Sequence, residues 1–485
     1  TKIKNNNLIR NKKYILIADR QRFDSSIRQS LISKIFNDKG YTPVLATRKP
    51  NSIFSKIYES FGLKKKFNTN LLENKFFLIK NSPEFFLKSI FILVKYQILG
   101  FEKFKINLKI DNIKIGPQIL DQYYRNDQSY LKGFFTLKFY KILLTAFYKI
   151  RLIQNYIKKN KIKYTVVSSD TYLNESSIIF KISQELKLIN IRSVRKTAVV
   201  CKNYKDYNEH LYTIQKSDLK RKSFSINKVN KYIRKRFNGE IEHLDVKNAF
   251  RNKEKRFDKK KLFKFFKLNN KKYKNVILFA PHVFADSCST WGSFPFLNYY
   301  QFFTETINRM KDIKNIAWII KPHPTRHFWK EDYVIKEYLK KNNFSNIYFC
   351  PDKISTRDII KCADTVVTGR GTIGVEAATF GKRSITCGSS LYRNLNISFN
   401  SNNKKEFFKV LNFKNYKFSL NKKQIRIAKK SLFFMGSFRW KQDSHIIPNM
   451  ATNHKNVDFY FKKNNNNFKK YNFINDKYYL GLIQK

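Results

Sequence analysis

Cysteine is scarce in this chain and never paired in sequence. The five residues, Cys201, Cys288, Cys350, Cys362 and Cys387, are odd in number, widely spaced and without a CxxC. That excludes a disulfide framework or a zinc knuckle and fits reduced thiols in a cytosolic enzyme. Acidic residues are also short: 35 Asp and Glu stand against 98 Lys and Arg, a formal charge of +63. Such an excess raises nucleic acid or an anionic membrane as partners. The lysines are scattered, however, and Lys, Asn, Ile, Phe and Tyr are abundant together, as in chains encoded by AT-rich genomes. The simpler reading is solvated surface with part of the charge left for partners, and no nucleic acid is expected. Long apolar runs are missing too, since nothing approaches the run of about 18 residues that a membrane-spanning helix needs. Residues 89–101 are short and carry Lys95. Residues 134–153, with Lys138, Lys141, Lys149 and Arg151, suit a basic amphipathic helix on a bilayer surface or one buried against another domain. No repeat of fixed period and no signal-type apolar core are found. The expected location is cytoplasmic, with peripheral contact at an anionic inner membrane as a further option.

What is present is a rhythm of strands and helices. At 485 residues the chain has room for two or three domains. Residues 14–19 read as a buried strand, 22–38 as a helix and 41–47 as a second strand. This β-α-β unit requires a parallel pair. A strand is expected at 164–168, followed by a helix at 175–186, and residues 71–80 are a further strand candidate. From 275 the rhythm resumes, with strands at 275–280, 316–320, 347–349, 365–367 and 383–386 and helices between them. The expected fold class is α/β, with two Rossmann-like doubly wound domains and C-terminal helices. The expected boundaries are a loose N-terminus at 1–10, a first domain at 11–205 and a basic helical connection at 206–273. A second domain at 274–402, helices crossing back at 403–440 and a polar aromatic tail at 441–485 follow.

Ligands in open α/β sheets bind at the carboxyl ends of the strands, and the residues there narrow the chemistry. Lys321-Pro322-His323-Pro324 follows one strand. The two prolines hold the loop extended and present the imidazole, which can bind or protonate a phosphate, with Lys321 adding charge. Arg370-Gly371-Thr372 follows another strand and opens a helix, where glycine permits close approach and free N–H groups favour an anion. Glu376 lies one turn on, placed to accept from ribose hydroxyls; the alternative is an N-cap Thr372 with Glu376 in its first turn. His282 and Asp286 end a third strand of the same half. In the first half, Asp19 and Asp170 end strands and are candidates for a general base, each with the alternative role of an N-cap. Gly116, Asp121 and Arg125 are candidates for shaping the acceptor side. No residues point to a metal site.

KPHP at 321–324 and VVTGRGTIGVEAATFGKRSIT at 366–386 together resemble the capsule polysaccharide synthesis family that includes bacterial β-Kdo transferases. FAPHVFADSCSTWGSFPF at 279–296 and IKIGPQILDQYYR at 113–125 are similar to segments of surface-carbohydrate proteins of this kind. The resemblance implies a GT-B fold, with the two Rossmann-like domains facing a cleft. It also implies a metal-independent glycosyltransferase that uses a nucleotide-sugar as substrate, with no cofactor. His323 would then touch the donor phosphate, Gly371 and Thr372 would complete its cradle, and Glu376 would hold the nucleotide's sugar. The implied donor is a nucleotide-sugar such as a CMP-linked ulosonate, and the implied acceptor a glycan or lipid-linked glycan. A polyol-phosphate transferase of the teichoic-acid type and a non-catalytic basic binding protein stay open as alternatives.

Overall fold

The computed structural model describes residues 13–125, 129–131, 133, 136–168, 171–194, 197–201, 213–220, 224–241, 243–251 and 257–437. Residues 1–10, Asp170 and the tail 441–485, all of which carry expectations, lie outside them. The chain divides into two compact units, the first taking in Thr1–Ile119 and Leu137–Tyr207 and the second Leu120–Thr136 and Asn208–Lys441. Each contains one six-stranded sheet.

In the first unit the strands are β1 (Lys13–Ala18), β2 (Tyr41–Thr47), β3 (Lys65–Asn68), β6 (Tyr164–Val167), β7 (Ile189–Val194) and β8 (Thr197–Cys201), with a two-stranded hairpin of β4 (Lys109–Ile110) and β5 (Ile113–Lys114) outside the sheet. The sheet order is β3-β2-β1-β6-β7-β8, parallel except for the β7–β8 pair. Ile15, Leu16, Ile17 and Ala18 are all fully buried, which explains the unbroken apolar run: a parallel sheet is covered on both faces. Ile27, Leu31, Ile35 and Phe36 of the helix Phe23–Asp38 join Ile15, Ile17, Leu45 and Val166 in one core cluster.

One expectation is corrected here, and two helical readings are made definite. Residues 71–80 are not a strand; the third strand is Lys65–Asn68, an edge strand whose two lysines hide it from a hydrophobicity reading. The short apolar run 89–101 belongs to the 33-residue helix Lys75–Asn107, which is bent at Gly100 (φ +80°). Of the two readings of the basic helix Leu137–Lys159, the structure takes the buried one, because Phe139, Leu143, Ala146, Phe147, Ile150 and Ile153 along it are buried.

The second unit carries β9 (Asn275–Ala280), β10 (Ile316–Ile320), β11 (Ile347–Phe349), β12 (Thr365–Thr368), β13 (Ser384–Cys387) and β14 (Ser398–Ser401), in the order β11-β10-β9-β12-β13-β14 and all parallel. Counted within each sheet, both orders are 3-2-1-4-5-6, the doubly wound pattern whose reversal point binds ligands. In the second sheet that point lies between β9 and β12.

The basic stretch expected as a connection is built into the second unit. Its helices Ile226–Phe237 and Leu244–Phe250 place Val229, Phe237, Val246 and Phe250 in one core cluster with Val375, Ala378, Tyr392, Leu432 and Phe434. The C-terminal helix Lys422–Ser437 packs within this same cluster.

Candidate functional site

At the second reversal point the sequence sets small residues against a wall of aromatics. A Cβ on Gly369 would stand 3.2 Å from His282 Cδ2 and 3.3 Å from Phe294, and one on Gly371 would stand 2.9 Å from Thr368 Oγ1. Glycine thus lets the loop after β12 lie against the loop after β9. The Arg370 N–H donates to His282 Nε2 at 3.0 Å, so Nε2 carries no proton and the neutral ring keeps its proton on Nδ1. The imidazole stacks on Tyr299, with centroids 4.3 Å apart and planes 14° apart.

The Arg370 guanidinium turns inward. It donates to the carbonyls of Trp291 (2.6 Å) and Cys288 (3.0 Å) and to the Tyr299 hydroxyl (2.8 Å), and lies over the Phe294 ring. This corrects its expected place as a phosphate ligand, since its head fastens the loop after β9. Lys321 is corrected in the same way: it is buried, and its ammonium donates to the carbonyls of Pro351 (2.7 Å) and Ile354 (2.8 Å). Glu376, expected at the nucleotide's sugar, is 4% exposed, and its Oε1 accepts from Arg236 Nε (2.8 Å) and Nη2 (2.6 Å). The pair ties the helix Ile373–Thr379 to the helix Ile226–Phe237.

The groups left facing outward are fewer. Thr372 is exposed, and Gly371, His282 and His323 are half-buried. His323 Nδ1 accepts from the Thr325 N–H (3.4 Å) and lies 3.0 Å from the Thr325 hydroxyl, which puts the proton of the neutral ring on Nε2. Burial holds its pKa below the usual imidazole range, opposed by Asp245 and aided by Arg326 and His243. At neutral pH His323 is therefore a neutral donor rather than a cation. Its loop is fixed by Arg326, which donates to the His323 carbonyl (3.1 Å) and to both Asp352 oxygens (3.0 and 2.9 Å). Because β9 separates β10 from β12, His323 and Thr372 flank His282 from strand ends about 10 Å apart, two strand spacings.

Asp286 is half-buried, its Oδ1 accepting from the Ser287 N–H (2.8 Å). The loop after it closes on Asp121, which is fully buried and accepts from Ser287 Oγ (3.0 Å), Thr290 Oγ1 (2.7 Å) and the N–H groups of Cys288 (3.1 Å), Ser289 (2.8 Å) and Thr290 (3.0 Å). Asp121 and Arg125, which lies over the Trp329 ring, are thus corrected from the acceptor side to the second unit. Gly116 remains in the first unit, where a Cβ would meet backbone at Lys105, 2.8 Å away.

At the carboxyl edge of the first sheet, Asp19 is buried and accepts from the Thr47 hydroxyl (2.7 Å) and the Gln21 N–H (2.8 Å). Burial pushes its pKa up, the Thr47 and Gln21 bonds pull it back, and Glu175 raises it again. Glu175 itself accepts from Lys149 (2.8 Å) and from the Thr69 hydroxyl (3.2 Å), with Arg48 at 3.2 Å. Its burial alone would raise its pKa, but Lys149 and Arg48 outweigh that and hold it below the ordinary carboxylate value.

Residues 199–410 match the family model described as capsule polysaccharide biosynthesis protein. The match covers 212 of the 485 residues. The capsule-synthesis segment spans the whole second sheet with both of its site loops. No curated protein matches the chain. Among solved structures, the β-Kdo 2,4 transferase KpsC of Thermosulfurimonas dismutans is 12% identical, covering 55% of this chain and 79% of its own, with a TM-score of 0.32. A glycosyltransferase of Rickettsia africae is 10% identical over 93% of this chain and 98% of its own, with a TM-score of 0.27. The UDP-GlcNAc 2-epimerase of Methanocaldococcus jannaschii is 13% identical over 87% and 99%, also with a TM-score of 0.27. Such low scores and identities carry no weight on fold or function.

Several residues of the capsule-synthesis segment escaped the sequence reading. Arg236 was hidden in a basic run. Glu331, 1% exposed, accepts from the Phe284 (3.0 Å) and Ala285 (2.8 Å) N–H groups and so shapes the loop after β9. Nothing local marks it, since its partners lie 46 and 47 positions away. In the first unit, Lys149 offered a usable signal, being a lysine on the apolar face of its helix.

Proposed function

We infer that the protein is a glycosyltransferase of surface or capsular polysaccharide biosynthesis, moving a sugar from a nucleotide-activated donor to a glycan or lipid-linked acceptor. One observation carries this reading: the capsule-synthesis segment holds a doubly wound sheet whose reversal point sets His282 between the His323 loop and the Gly371–Thr372 loop. We assign the donor phosphate to His323 Nε2–H and to the Gly371 and Thr372 backbone and hydroxyl. Arg370, Glu331 and Asp121 hold the wall that positions them.

In the reaction, the bond between the donor's anomeric carbon and its phosphate oxygen breaks, and the nucleotide phosphate leaves with the electron pair. The acceptor oxygen bonds to that carbon and yields its proton to a carboxylate. Asp19 is our choice for that base, because a burial-raised pKa brings it nearer to neutrality. Fixed N–H donors aimed at the leaving phosphate stabilise the charge that develops there, the electrostatic contribution that is commonly the largest. The donor we assign is a CMP-linked ulosonate of the Kdo type, used without a metal or resident cofactor, by an enzyme located peripherally at the inner membrane.

The test is a donor screen read by mass spectrometry, offering CMP-, UDP- and GDP-sugars and CDP-polyols with a lipid-linked glycan acceptor. The expected product gains one ulosonate with release of CMP, and Asp19→Asn slows its formation by about 10²–10⁴. Addition of a polyol phosphate, or no consumption of any nucleotide donor, contradicts the reading.

A further inference from the structure

The helix Lys75–Asn107 is apolar on two faces, and only one of them is covered. Phe85, Ser89, Leu93 and Tyr96 face inward and are buried. Phe85 stacks on Phe147 (centroids 5.4 Å apart) and meets Tyr148 edge-on (4.8 Å), both on the helix Leu137–Lys159. The outward face carries Phe76 (82% exposed), Ile79 (74%), Leu87 (66%), Phe91 (66%) and Ile98 (81%), with Ile90 and Val94 also exposed. Their spacings of three, four, seven and eight residues place them on a single stripe. A contiguous exposed apolar stripe of this kind marks an interaction surface.

Charge identifies the occupant. Six lysines and two glutamates lie on this helix. Lys80, Lys88 and Lys95 run at steps of eight and seven along one flank of the stripe, with Glu84 bonded to Lys88 (2.6 Å) and to Arg151 (2.7 Å). A second copy docked on this face would bring lysine rows together on chains of +63 each, whereas an anionic surface turns the same charges into attraction. Long lysine stems can lie along an apolar boundary while their ammonium groups reach phosphate. The helix does not cross the bilayer, for no helix among the described residues is long and apolar enough to do so. An in-plane position, with the stripe in the acyl boundary and lysines at headgroup level, satisfies both features.

We propose that the outward face of Lys75–Asn107 is a docking surface that lays the first unit on an anionic phospholipid bilayer. This deepens the peripheral location in the function proposed above by naming its surface. It fails or stands independently of the donor site, which nucleotide binding reads in solution.

The test is co-sedimentation of the full chain with vesicles of phosphatidylcholine alone and of phosphatidylcholine with phosphatidylglycerol. Wild type is expected to bind the second far better. Phe76→Gln/Phe91→Gln/Ile98→Gln, at exposed positions that leave the core untouched, is expected to lose at least about tenfold in partitioning. Lys80→Glu/Lys95→Glu is expected to lose most of the preference for phosphatidylglycerol. Wild type remaining in the supernatant, or a triple variant that binds as wild type does, overturns the proposal. So does a lipid-free wild-type dimer that the triple variant dissociates. If the triple variant does not fold, amide exchange of wild type decides. Slowed exchange across 75–98 on phosphatidylglycerol vesicles supports docking, and unchanged exchange there overturns it.

Discussion

Asp121, fully buried, accepts five N–H and O–H bonds from one loop, and the Cys288 thiol of the same loop also points at it. Asp121→Ala leaves three backbone N–H groups without an acceptor, each costing about 1–3 kcal/mol when buried. We therefore expect a loss of about 3 kcal/mol or more, read as a lower midpoint in urea denaturation. Glu331 makes a pH prediction. Burial first, then the Asp286 charge, pushes its pKa up to about 8 from an ordinary 4.5, against the pull of the Phe284 and Ala285 N–H groups and Arg326. A carboxyl whose pKa is raised by folding contributes its stability fully below the unfolded value and loses it as pH rises through the folded one. Melting curves of wild type should thus fall between about pH 5 and 8. Glu331→Gln, which cannot ionise, should flatten that fall. Neither residue was legible as a structural anchor, because each acts on backbone far away in sequence, whereas His282 and His323 were legible from their positions at strand ends.

Between elements, packing is tightest where the helix Ile373–Thr379 leaves β12. Tyr392 donates to the Gly371 carbonyl at 2.7 Å, and its ring passes over Gly374, where a Cβ would stand 3.0 Å from both Tyr392 Cζ and Ser384 Oγ. Gly374→Ala forces that tyrosine aside. The expected cost is about 1–3 kcal/mol, typical of overpacking, with weaker nucleotide binding because the Gly371 carbonyl loses its partner. Calorimetry on the purified variant checks both. Most central elements could be read from the chain, since β1, β2, β6, β9 and β10 are buried on both faces and announce themselves as apolar runs. The edges could not. Lys65–Asn68 and Ser398–Ser401 are polar strands that exist because a neighbour offers an open ladder, and Ile226–Phe237 reads as a charged linker until its inward residues are counted. The loops named in the sequence do follow β9, β10 and β12, but the strand-end rule could not say which way a long side chain turns. Lys321, Arg370 and Glu376 all turn into the protein.

For the whole molecule, two sheets share one strand order, yet the family match covers only the second with its flanks. The proposed donor site therefore lies in that unit, whose reversal point would hold the phosphate of a nucleotide donor. The most direct measurement is the melting temperature of wild type and of His323→Ala against a panel of free nucleotides. A ligand at about 100 times its Kd adds about 2.7 kcal/mol of stability, a shift of several degrees for a unit of this size. Wild type is expected to show such a shift with CMP, and His323→Ala one reduced to a small fraction at the same concentration. No shift with any nucleotide, or an equal shift in the variant, would contradict it.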